Sequence, residues 1–137
     1  LLGSAFVTIE AEGKRIVFTG DLGRKNDPIL LPPVPLEAAD FLIVESTYGN
    51  RIHQDVNPQD QLKQIIDRAV RERGVVIVPA FSVGRSQTLM FLIYELKKKG
   101  LIPDIPVFLN SPMSINASGI FCEYQGEHRL SEEECEG

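Results

Sequence analysis

A chain of 137 residues, 43% hydrophobic and 24% charged, has enough apolar material for a packed core and the composition of an ordinary globular domain rather than a disordered one. Its formal net charge of -5 argues against a broad basic surface that grips nucleic acid through phosphates, but leaves room for a local basic groove. No apolar stretch reaches bilayer length, and the start Leu1-Leu2-Gly3 has no signal-peptide pattern.

Ala5-Phe6-Val7-Thr8-Ile9-Glu10 alternates as a half-buried strand does. Glu12-Gly13 supplies a turn and the chain returns to Thr19, so residues 5–19 read as a hairpin. The return strand, Ile16-Val17-Phe18-Thr19, leads into Gly20-Asp21. Residues 22–36 carry Pro28, Pro32, Pro33 and Pro35, which bars them from a central strand and predicts a loop across the surface. Phe41-Leu42-Ile43-Val44 reads as a buried strand ending on Glu45. Two apolar strands that each deliver an acid predict a polar site at one rim of a sheet, where ligands collect in open α/β folds.

Asn57-Pro58 opens a helix as N-cap and first position. Leu62, Ile65, Ile66, Ala69 and Val70 follow at helical spacing, and Gly74 is placed to cap its end. Val75-Val76-Ile77-Val78 predicts a short buried strand stopped by Pro79. A second helix is expected from about Gly84 to Lys98, apolar almost all round and therefore buried, with Lys97-Lys98-Lys99 complementing its negative end and Gly100 capping it. Pro106-Val107-Phe108-Leu109 reads as the next strand. Ser111-Pro112 opens a third helix, and Ser131-Glu132-Glu133-Glu134 has the capping-box pattern of a fourth. From residue 57 onward, helix and strand alternate, which predicts βαβ units and a parallel sheet separate from the hairpin. Cys122 and Cys135 form no C-x-x-C pair; two thiols in a reducing cytoplasm are expected, Cys135 in a mobile tail.

Four blocks come in order: Thr19-Gly20-Asp21-Leu22-Gly23-Arg24, Glu45-Ser46-Thr47-Tyr48-Gly49, Pro79-Ala80-Phe81-Ser82-Val83-Gly84-Arg85-Ser86-Gln87, and Asn110-Ser111-Pro112-Met113. Together they resemble the β-CASP branch of the metallo-β-lactamase-fold nucleases, over nearly the whole chain. The resemblance implies an α/β architecture in which residues 1–49 are part of a metallo-β-lactamase domain. Residues 50–137 would be the first half of an inserted β-CASP domain with a parallel, Rossmann-like sheet. It also implies an internal fragment, beginning just after a metal-binding His of the family.

Each candidate residue has a bland reading beside the functional one. Asp21 in a Gly-Asp-x-Gly turn is ordinarily a turn former; by resemblance it is the carboxylate that bridges two zinc ions in these nucleases, a pair that activates water for phosphodiester cleavage. Glu45 is either a strand-end carboxylate that accepts from the Ser46 or Thr47 amides or, by resemblance, the first β-CASP acid, which orients and charge-tunes a catalytic His beyond this chain. His53 resembles a His common just after the Glu motif and would lie behind the ligands or face substrate; His128 is expected at the solvated surface. Gly84-Arg85-Ser86-Gln87 opens a helix, where free amides and an Arg suit a phosphate; equally, Arg85 could pair with an acid across the cleft. Asn110 stands where the family often has Asp, a departure that leaves metal ligation untouched. Tyr48 and Phe81 are either base-stacking or packing residues.

The resulting expectation is a parent protein that is a zinc-dependent phosphodiesterase cleaving RNA, as an endonuclease or a 5′–3′ exonuclease. Asp21 and Glu45 are its catalytic residues within this chain, with Asp21 also a metal ligand, and Arg85, Ser86, His53 and Tyr48 contact substrate. The chain lacks most of the ligands a zinc pair needs, so alone it is expected to be inactive and to hold zinc weakly. Its partners would be RNA, without a membrane, in a homodimer or an RNA-processing complex. A non-catalytic scaffold, a nuclease acting on DNA, and a phosphate-binding α/β module built on Gly84-Arg85 are the alternatives.

Overall fold

The computed structural model describes residues 1–52, 56–80 and 83–136. Its sheet has three strands in the order β1 (Val7–Ala11), β2 (Lys14–Phe18), β3 (Phe41–Ile43). The expected hairpin forms, with Val7 opposite Phe18 and Ala11 opposite Lys14. Glu12 (φ 51°) and Gly13 (φ 71°) both take the left-handed region that a two-residue hairpin turn demands. β3 then adds to β2 in parallel, with Phe18 opposite Ile43. Asp40 starts this pairing, accepting the Arg15 amide (2.9 Å) and the Lys14 ammonium (2.8 Å). The Lys14 bond, then the Arg15 amide, holds the Asp40 carboxyl below its usual range.

Among the described residues four helices follow: α1 (Pro58–Arg71), α2 (Arg85–Lys98), α3 (Pro112–Glu123) and the short α4 (Glu132–Glu136), with a 3-10 turn at Gln125–Glu127 before the last. Their starts are the expected ones. Asn57 Oδ1 accepts the Gln59 amide, Ser111 Oγ accepts the Ser114 amide, and Ser131 and Glu134 cap each other reciprocally at α4. The end of α1 differs from expectation. Arg73, not Gly74, takes the left-handed position (φ 52°), while the Arg73 and Gly74 amides return to the Val70 and Ala69 carbonyls. The core joins α1 to α2: Leu62, Ile66, Leu96 and Ile102 are buried, and Leu89, Leu92, Ile93 and Ile105 pack on them. The α2 lysines hold this end in place, Lys97 on Asp104 (2.5 Å) and the Ile105 carbonyl, Lys99 on Glu95, and Lys98 on Glu133.

Several expectations need correction. Residues 75–78 and 106–109 are not strands, so the parallel sheet of βαβ units is absent from the described residues. A strand exists only through a partner's ladder, and neither segment has one here. Ile77 and Phe108 are each 85% exposed. Phe41 to Val44 is likewise not buried, at 47–56% exposure, because no layer covers β3. α2 is half-buried, not enclosed. The Pro-rich loop is anchored, not merely laid on the surface: Ile29 is fully buried, Asp27 accepts the Ile29 and Leu30 amides, and Arg129 bonds back to the Ile29 and Leu30 carbonyls.

His128 is also not at the surface. It is buried against Phe121, with ring centroids 5.9 Å apart. Its Nδ1 accepts the Leu130 amide, so Nε2 carries the hydrogen and donates to the Phe121 carbonyl at 2.6 Å. Cys135 lies in α4, with the Cys122 thiol 3.5 Å from its carbonyl oxygen; both cysteines are thiols.

Candidate acidic site

Parallel pairing sends β2 and β3 out of the sheet at the same edge, and the two acids follow directly. The last backbone rung is Thr19 N–H to the Ile43 carbonyl, 3.0 Å. In a regular ladder the next rung would carry the Glu45 amide to the Thr19 carbonyl. Instead the Glu45 amide donates to Thr19 Oγ1 at 3.3 Å, and that hydroxyl donates onward to the Gly20 carbonyl at 2.9 Å. The hydroxyl takes the rung, and the backbone is released to turn. Gly20 makes the turn at φ 53°, a conformation a side chain would strain.

Beyond the turn, Asp21 is exposed, and among the described residues no hydrogen bond or ion pair reaches its carboxylate. Glu45 is half-buried and anchored. Its Oε2 accepts the Thr47 amide at 2.9 Å. The Thr47 amide and hydroxyl, with the Leu22 amide adding to them, hold the Glu45 carboxyl below the usual glutamate range against a partial loss of hydration. The Thr47 bond is the bland role expected for a strand-end acid. Tyr48 lies in the turn just after, half-exposed. Among the described residues, no three His, Cys, Asp or Glu side chains converge as a metal site.

The second candidate region is the start of α2. Gly84 takes φ 88°, and its amide donates to Gln87 Oε1 at 2.8 Å. Gln87 is buried and donates through Nε2 to the Ser114 carbonyl (3.2 Å) and Ser118 Oγ (3.0 Å), tying the helix start to α3. Ser86, expected to meet substrate, is 4% exposed and faces Ser114 Oγ of α3 at 3.3 Å. Arg85 projects into solvent, with no ion pair among the described residues. His53 and Phe81 lie outside the described residues. Sequence reasoning passed over Thr19 and Gln87. The signal for Thr19 was present: a hydroxyl residue closing an apolar run just before Gly-Asp.

Comparison with known proteins adds the lineage. Residues 86–136 match the β-Casp domain. The RNase J-like protein of Methanocaldococcus jannaschii is 32% identical over 130 residues, covering 90% of this chain and 30% of that protein. Ribonuclease TTHA0252 of Thermus thermophilus is 33% identical over 115 residues (83% and 26%). The cleavage and polyadenylation specificity factor 73 of Drosophila melanogaster is 30% identical over 127 residues (90% and 19%). The chain thus spans less than a third of each of these relatives. The chain belongs to the β-CASP family.

Proposed function

We propose that this chain is part of a zinc-dependent phosphodiesterase that cleaves RNA. Residues 1–49 would belong to its metallo-β-lactamase unit and residues 50–137 to the first half of its β-CASP unit. The observation that carries this reading is the shared edge: Asp21 and Glu45 leave adjacent parallel strands at the same end of the sheet, one exposed and without a partner among the described residues, the other anchored. Ribonuclease names among the relatives support RNA as the substrate, and the polyadenylation factor among them supports a place in an RNA-processing complex. Asp21 would give one carboxylate to a zinc centre whose other ligands lie outside this chain. When bound, that centre supplies a water activated for attack on phosphorus. Glu45 would hold the Asp21 loop and support a His from elsewhere in the parent, while Arg85 would meet a backbone phosphate at the start of α2.

The same reading accounts for the uncovered surfaces. Residues 75–78 and 106–109, and the exposed faces of β1 and β3, would pair with or pack under the rest of the parent, completing a parallel sheet in the β-CASP unit. The isolated chain would accordingly be inactive. The test is cleavage of a labelled RNA by the full-length parent, with and without a chelator. Cleavage that stops with chelator and returns with zinc is expected. RNA binding with no cleavage under any metal condition would favour a scaffold role instead.

A further inference from the structure

The geometry points to Thr19 as a positioning residue for the acidic site, an inference that rests on the proposed catalytic role of Asp21 and Glu45. Thr19 is only 2% exposed and is, although polar, among the few fully enclosed side chains of the described residues. A buried hydroxyl in a strand usually costs stability unless both its donor and its acceptor functions are met. Here both are met by the two acid-bearing turns. The hydroxyl receives the Glu45 amide from one turn and donates to the Gly20 carbonyl of the other.

The consequence is geometric. Had the ladder continued through the Thr19 carbonyl, the chain at Gly20 would still be running as strand beside Glu45. Replacing that carbonyl by the side-chain hydroxyl of the same residue keeps the strands paired for one more rung while freeing the peptide to rotate. Asp21 is thus turned out at the edge, while Glu45, on the neighbouring strand end, is held by the Thr47 amide. The hydroxyl sets where one acid stands relative to the other.

The test uses the full-length parent and three substitutions at Thr19. Thr19→Val keeps the shape and removes the hydroxyl; Thr19→Ser keeps the hydroxyl and removes the methyl; Thr19→Ala removes both. In single- and multiple-turnover cleavage of a labelled RNA, Thr19→Val should lower kcat by about tenfold to a hundredfold, the range for residues that orient a metal site's first ligands, with KM unchanged. Thr19→Ser should restore kcat. Hydrogen exchange followed by mass spectrometry should quicken in the peptide over residues 43–47 in Thr19→Val and not in Thr19→Ser. Should Thr19→Val fail to fold, the Ser and Ala variants isolate the hydroxyl in a smaller side chain, and kcat should fall in Ala alone. Equal damage in Ser and Val, or unchanged kcat and exchange in Val, overturns the inference. Asp21→Asn and Glu45→Gln run in the same assay separate the two levels. If they cleave like the parent protein, the acidic-site reading fails and the Thr19 inference fails with it. If they lose cleavage while Thr19→Val does not, only the Thr19 inference fails.

Discussion

In the sheet, Val7, Ile9, Phe41, Leu42 and Ile43 are each about half exposed, whereas the helical part encloses Leu96 and Phe121 to 2% exposure. The sheet is held by its ladders and by charges at its margin. Arg15 pairs with Glu10 and Glu37 at 2.7 Å each, and those two acids, Glu10 first, raise the Arg15 pKa. The helices are held by a core. Exposed ion pairs contribute at most about 1 kcal/mol each, so the two regions differ in what a single substitution can do to them. The region with the weaker packing is the one that carries the acids. Its order there comes from hydrogen bonds to named atoms, with Val17 and Thr19 the buried residues of the strand that leads to Asp21.

The comparison is sharpened most by stability measurements. Phe121→Ala removes an enclosed ring that also seats His128, and should cost about 3–5 kcal/mol. Val7→Ala, on the open face of β1, should change stability by no more than about 0.5 kcal/mol. Urea denaturation of this chain with each substitution tests the contrast; similar losses would mean the sheet is packed as tightly as the helices.

A smaller effect is expected at the helix start. Arg85→Ala should weaken RNA binding by the full-length parent by about 1.5–3 kcal/mol, roughly tenfold to a hundredfold. The dependence of log affinity on log salt should become shallower by about one phosphate contact. Filter binding across a salt series reads both. Unchanged affinity in a protein that unfolds more easily would make Arg85 a structural residue.

The smallest effect concerns pH. The Glu45 carboxyl is held below its usual range by the Thr47 and Leu22 bonds. A depressed carboxyl contributes stability that is fully present above its unfolded value and is lost as pH falls through the folded value. The stability difference between this chain and its Glu45→Gln variant should therefore be present at neutral pH and close on the acid side. A difference that does not change with pH would mean that the charge on Glu45 makes no contribution.

Local chemistry was the legible part of this sequence. Asn57, Ser111 and Ser131 cap helices where their spacing placed them, and Glu12-Gly13 turns the hairpin, because each depends on neighbours within a few residues. Segments that depend on distant partners were not legible. Residues 75–78 and 106–109 have strand composition, but composition does not supply a ladder. Phe41-Leu42-Ile43-Val44 has a buried strand's sequence without a layer to bury it. His128 shows the opposite error: a lone His in a charged stretch suggests solvent, and only the fold brings Phe121 and Leu130 to both ring nitrogens. At the candidate site the two acids could be read from the runs that precede them. Thr19 left a signal, a hydroxyl closing an apolar run before Gly-Asp, but its role exists only once β3 lies beside β2.

The account stands on Asp21 being part of the cleaving centre and not a turn former that happens to sit beside Glu45. Single-turnover cleavage of a labelled RNA by the full-length parent carrying Asp21→Asn, with filter binding in parallel, tests this most directly. Cleavage should fall to background while RNA affinity and folding persist, because the amide keeps the shape of the turn and loses the charge. An Asp21→Asn protein that still cleaves at the rate of its parent would contradict the account.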